Sequence, residues 1–93
     1  MSKSILQEDD NICFLCGGWG ACEWHHIYGG ANRKLSEKYG LKVRLHHNCH
    51  NEPPNGVHHN KQVMDSLRET GQIAFNKAYP ELDFIKIFGV NYI

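Results

Sequence analysis

The sequence predicts a small α+β fold: a metal-stapled core of two antiparallel strands and a short helix, followed by additional C-terminal helices. Three observations predict it. Two pairs of thiol or imidazole side chains with two intervening residues, Cys13–Cys16 and His46–Cys49, stand thirty residues apart, as in a tetrahedral structural zinc site. Leu41, Val43 and Leu45 alternate with Lys42, Arg44 and His46, the period of a strand with one buried face. Beyond Gly56, apolar residues recur at helical spacing.

Each element follows from local chemistry. The 93 residues allow one domain, 1–93, and a chain this short buries a modest fraction of its surface, so a metal staple is expected. Residues 1–11 are polar and acidic and are expected to be flexible. Cys13 to Gly18 read CFLCGG, a tight turn in which glycines let backbone amides face sulfur. A strand is expected over 21–27, ended by Gly29 and Gly30, and 31–40 is a basic, polar excursion ending at Gly40. The strand at 41–45 then completes an antiparallel hairpin. A short helix begins near Asn48, with Pro53 and Pro54 interrupting it or its sequel. Residues 12–60 make the core and 61–93 the C-terminal helices. Val63, Leu67, Ile73 or Ala74, and Ala78, with Met64, Phe75 and Tyr79 widening the apolar stripe, place one amphipathic helix over 60–79, bent at Gly71 if anywhere. Pro80 opens a last helix that stops at Gly89, and VNYI forms a terminal apolar clamp. This half reads as scaffold, with a partner-binding helix as the functional alternative.

Charge and histidine locate the chemistry. Net charge is zero, yet between His25 and His50 five cations, Arg33, Lys34, Lys38, Lys42 and Arg44, face one carboxylate, Glu37. That local excess of four suits a polyanion such as DNA, the blander reading being a solvated charged face. All seven histidines fall within 25–59. The first residues lack the apolar stretch of a signal peptide and no window approaches a membrane span, so a cytoplasmic protein with reduced thiols is expected.

The four ligands Cys13, Cys16, His46 and Cys49 are expected to hold zinc. His47 or Cys22 compete for the place of His46, which the two-residue spacing favours, and Cys22 is then a small buried apolar residue. The remaining histidines suggest a second, open site. His25 can bind a divalent ion while the adjacent His26, turned the other way by strand alternation or by the following glycines, accepts a proton as general base.

The pattern CxxC, WHHI, a glycine-containing basic excursion and then CHN resembles the zinc-stapled HNH endonucleases, the His-metal or ββα-metal finger family, over residues 13–60. HHIYGGANRKLSEKYGLKV, CHNEPPNGVHHNK and IFGVNYI further resemble small phage-encoded proteins related to the phage recombination-enhancing, RecA-dependent nuclease. The resemblance implies a phage or prophage DNA endonuclease or nickase in a bacterial host cell, with a recombinase filament or another phage or host protein as a possible partner. It implies that His25 is a ligand of the catalytic Mg²⁺ or Mn²⁺, that His26 is the general base, and that His50 is a second ligand. The EPPNGV insert displaces the last ligand to His58, with Asn51 or His59 competing. The base-orienting asparagine of the family is Asn32 or Asn48. Where the family commonly has cysteine this chain has His46, which leaves an ordinary three-sulfur, one-nitrogen zinc shell. Imidazole ligands suit transition metals, so other divalent ions are expected to support activity and Zn²⁺ to inhibit. A noncatalytic zinc-finger DNA-binding module is the alternative reading, and a phage protein that binds a host factor through its C-terminal helix is a third.

Overall fold

The structure, a computed structural model, describes residues 3–93. Two short strands, β1 (Glu23–His26) and β2 (Lys42–Leu45), pair antiparallel with Glu23 opposite Leu45 and His25 opposite Val43. Alternation therefore divides the sheet into two faces. Glu23, His25, Val43 and Leu45 share one, and Trp24, His26, Lys42 and Arg44 share the other. The small mixed α/β architecture expected from the spacing is present, with a two-stranded sheet and a Cys/His cluster beside it.

The basic, polar excursion between the strands, to which the sequence reading assigns no regular element, carries a helix. A 3-10 turn at Gly30–Asn32 runs into α1 (Arg33–Tyr39), which ends at Gly40 in the left-handed conformation at φ 71°. Leu35 and Tyr39, four residues apart on one side of α1, pack on the core, and Ser36 is buried between them. The Ser36 hydroxyl accepts from the Tyr28 amide at 3.1 Å and donates to the Tyr28 carbonyl at 2.8 Å, which ties α1 to the end of β1. Two apolar anchors among charged residues are too few for the helical period to show in the sequence.

A second difference concerns the N-terminal segment, expected to be flexible. Residues 1 and 2 lie outside the described residues, but from Ser4 onward the segment lies along β2. The Ile5 amide donates to the Gly40 carbonyl at 2.9 Å, the Ser4 hydroxyl to the Lys42 carbonyl at 2.6 Å, and the Arg44 amide to Gln7 Oε1 at 2.5 Å. Polar side chains that look solvated in a sequence here satisfy the backbone of a strand edge.

After β2 the chain enters α2 (His47–Asn51), then a 3-10 turn at Val57–His59. The long helix α3 (Lys61–Ala78) starts at Asn60, whose side chain accepts from the Val63 amide at 3.2 Å. It runs unbroken through Gly71. A Cβ there would stand 2.7 Å from Tyr28 Oη, and the absence of a side chain lets Tyr28 reach the Arg68 carbonyl at 2.5 Å. Tyr28 is the hub of the second half of the core: the rings of Phe84, Phe88 and Tyr92 lie 5.1–5.3 Å from its own. The last helix, α4 (Phe84–Phe88), begins four residues after Pro80, behind the cap Asp83, which accepts from the Lys86 amide at 3.3 Å. Gly89 ends it at φ 79°. The terminal clamp is latched by the buried Gln72, which accepts from the Tyr92 amide at 2.6 Å and donates to Asn91 at 2.9 Å. Among the described residues no helix is long and apolar enough to cross a membrane.

Candidate functional site

Two clusters of ligand-type side chains flank α2. In the first, Cys13, Cys16, His46 and Cys49 bring one donor atom each to within 4.8 Å of one another. The cysteine turn is built as its glycines demand: the Gly17 amide, at φ 75°, donates to the Cys13 carbonyl at 2.8 Å, and the Cys13 amide donates to the Gly18 carbonyl at 2.9 Å. A Cβ on Gly18 would lie 3.1 Å from His46 Cε1, so the bare backbone gives the imidazole its place. His46 Nδ1 lies 3.3 Å from Cys16 Sγ while Nε2 lies 3.1 Å from the Trp19 carbonyl. A carbonyl can only accept, so the proton sits on Nε2 and the Nδ1 lone pair points at the sulfurs.

The thiols are electrostatically unequal. Burial raises the Cys13 thiol, but the amides of Cys16, His46 and Leu15 favour the thiolate more strongly and bring it down to about 7. Burial and the neighbouring sulfur of Cys13 push Cys49 up to about 12. Converging thiolates repel each other until a cation stands between them, and the donor set fits zinc. Cys22 and His47 stand outside this cluster. The Cys22 thiol donates to the Gly20 carbonyl at 3.4 Å, and the exposed His47 has Nδ1 3.2 Å from Glu23.

In the second cluster His25, His50 and His58 also bring their donor atoms to within 4.8 Å. Cys49 and His50 are neighbours on α2, and the turn of about 100° between consecutive helical residues sends one to the zinc cluster and the other to β1. The insert after α2 returns His58 to the site. At Gly56 the chain passes so close to α2 that a Cβ would meet the Glu52 backbone at 2.6 Å, and the Gly56 amide donates to the Glu52 carbonyl at 2.7 Å. Nε2 of His50 and Nε2 of His58 are consequently 3.0 Å apart. His59 and Asn51, the competing ligands, are exposed and outside the group.

The decisive atom is His25 Nε2. His25 is 3% exposed, and this nitrogen is buried without a hydrogen-bond partner. Burial, then the nearby His50 and His58, hold the imidazole down at about 3, so it is neutral with a lone pair to give. An unpaired buried nitrogen costs stability. Filling the space between the three rings with a cation would satisfy it. His58 is likewise shifted down by burial, then by His50 and His59. The sequence reading missed Glu23, whose Oε1 accepts from His50 Nδ1 at 2.8 Å and so turns Nε2 toward the cluster. Strand periodicity held the signal, since Glu23 lies two residues before His25 and hence on the same face. Hydrogen bonds from His50 and His47 hold the exposed Glu23 carboxyl below its ordinary range.

His26 faces away from His25 and lies on the other sheet face, yet both border a cleft of about 260 Å³ together with His50, His58, Trp24 and Arg33. A neighbouring cleft of about 270 Å³ adds Asn32 and Arg68. Arg68 is the second residue missed. It comes from α3, read as scaffold, and its Nε is buried without a partner.

The five predicted DNA-contacting cations separate into groups. Arg33, Lys34 and Lys38 are exposed on α1, and Arg33 borders the histidine cleft. Arg44 is half-buried, its guanidinium 4.7 Å from the Trp24 ring and its Nε donating to the Asp10 carbonyl at 3.1 Å. Lys42 must be removed from the contact surface. It is 1% exposed, and its ammonium donates to Glu37 Oε2 at 2.7 Å. Neither candidate asparagine is bonded to His26: Asn32 donates to the Phe88 carbonyl at 3.1 Å, and Asn48 is exposed on α2. The partner of His26 is Glu37, with Oε1 2.9 Å from Nε2.

Comparison with protein-family models, with curated proteins and with solved structures found no match for this chain. Its chemistry rests on the residues themselves.

Proposed function

We propose that this chain is a metal-dependent DNA endonuclease or nickase of HNH type, with a structural zinc held by Cys13, Cys16, His46 and Cys49. The observation that supports it above all is the buried, unpartnered Nε2 of His25, a residue that brings a donor atom to within 4.8 Å of those of His50 and His58 and borders one cleft with His26 and Arg33. A structural zinc needs none of these groups. A divalent ion held by His25, His50 and His58 would supply positive charge to the pentacovalent phosphorus and the leaving oxygen. His26 takes the proton of the attacking water as the new P–O bond forms and the bond to the leaving oxygen breaks. Arg33 offers a guanidinium to a phosphate oxygen beside that centre. Three imidazoles favour Mn²⁺, Co²⁺ or Ni²⁺ over Mg²⁺, and Zn²⁺ in the same place is expected to inhibit.

Plasmid nicking with Mg²⁺ or Mn²⁺, abolished by EDTA, tests the proposal. Absence of cleavage of single-stranded, double-stranded and branched DNA under every divalent ion would overturn it in favour of a zinc-stapled DNA-binding module. Replacing Arg33 and Lys34 by alanine is expected to weaken DNA binding by similar factors for all sequences and to lower the slope of log affinity against log salt by about two, with little change in thermal midpoint. Fluorescence anisotropy over a salt series reads both, and a loss confined to certain sequences would point to base readout instead.

A further inference from the structure

His26 does not stand alone on its face of the sheet. Its Nε2 lies 2.9 Å from Glu37 Oε1, and the other oxygen of that carboxylate, Oε2, accepts from the Lys42 ammonium at 2.7 Å. Lys42 belongs to β2 directly opposite His26 in the register, and Glu37 projects from α1, so three elements meet in one chain of polar groups. The Lys42 ammonium also lies 4.7 Å from the Trp24 ring, which stands next to it on the same face. A lysine with 1% exposure serves no external polyanion. Such a group is tolerated inside because an anion meets it there.

We propose that Glu37 and Lys42 are positioning residues that fix the tautomer and ring orientation of His26, an inference that rests on the reading of His26 as general base. The carboxylate can only accept, so the imidazole proton is drawn to Nε2 and Nδ1 is left bare to take a proton from water. Lys42 fixes which way the carboxylate turns, because its ammonium requires an oxygen. This assigns to Glu37 the place that neither Asn32 nor Asn48 fills.

The inference has a sharp consequence for Glu37→Gln. The side-chain oxygen of glutamine is claimed by Lys42, which turns the amide NH₂ toward His26. That group donates to Nε2 and drives the imidazole proton to Nδ1. The tautomer inverts, and the base is lost without loss of the ring. Nitrogen-15 chemical shifts of the histidine rings in the zinc-loaded protein with Mg²⁺, assigned by comparison with His26→Ala and read well above the imidazole titration range, report it directly. Wild type is expected to show His26 protonated on Nε2 and Glu37→Gln to show it on Nδ1. Cleavage by Glu37→Gln is expected to fall in kcat by about 10² to 10⁴ with KM and zinc content near wild type. Adding Lys42→Met releases the glutamine oxygen to turn back to His26, so the double variant is expected to regain the Nε2–H signal and part of the rate. Wild-type His26 protonated on Nδ1, or an unchanged tautomer in Glu37→Gln, would overturn the inference. Because the spectrum needs no cleavage, a failure of the nuclease reading is distinguishable from a failure of this one.

Discussion

His26→Ala is expected to lower DNA cleavage by roughly a hundredfold or more, the scale of a lost general base, while zinc content, fold and DNA affinity stay near wild type. The side chain is at the cleft rather than in the core, so its removal leaves the packing of Ile27 and Tyr28 beside it intact. The informative contrast is with His25→Ala and His50→Ala. Those variants lose a ligand to the ion, and raising Mn²⁺ is expected to recover part of their activity by mass action. No concentration of metal replaces a proton acceptor, so His26→Ala is expected not to recover. Cleavage rates over a Mn²⁺ titration decide the matter. Equal rates for His26→Ala and wild type would remove His26 from the chemistry.

Cys49→Ala is expected to release the structural zinc and abolish cooperative folding. Cys49 packs against the apolar core as well as facing Cys13, so the loss reaches further than one bond. In a chain of 93 residues metal binding is a large share of the folding free energy, about 10–16 kcal/mol of apparent affinity in small zinc domains at neutral pH. Atomic absorption for zinc, together with a thermal melt followed by circular dichroism, reads both effects. Wild type is expected to hold about one tightly bound ion. A metal-free Cys49→Ala with a sharp melt would refute the assignment.

Much of the fold was legible because its signals are local. Strand β2 announced itself by alternation, α3 by its apolar stripe, and Gly89 by standing just past the last apolar residue of α4. The zinc cluster was legible through spacing, since a two-residue gap across a turn or helix start is what brings two donors together, whereas His50 and His58 were singled out as ligands only by the resemblance of the CHN stretch and its insert to the HNH pattern. What escaped involves pairing at a distance. The Ser4–Gln7 segment looks solvated until Gly40, Lys42 and Arg44 stand beside it. Lys42 reads as a surface cation because nothing in its neighbourhood of sequence says that α1 will fold back to offer Glu37. Glu23 and Arg68 escaped for related reasons: one orients a ligand rather than binding metal, and the other borders the site from a helix that otherwise builds the core.

The way β2 is bordered has a bearing on how this chain meets other chains. A strand at the margin of a sheet ordinarily exposes a ladder of donors and acceptors that any extended peptide can copy. Here the Gly40 and Lys42 carbonyls and the Arg44 amide are taken by an amide, a hydroxyl and a side-chain carboxamide, and the Arg44 carbonyl by the Phe14 amide at 2.8 Å. The closure alternates main-chain with side-chain groups, so it offers no regular template in its turn. Strand addition at this margin would first have to peel away the segment from Ser4 to Phe14, so self-templated growth of the sheet is blocked on the β2 side.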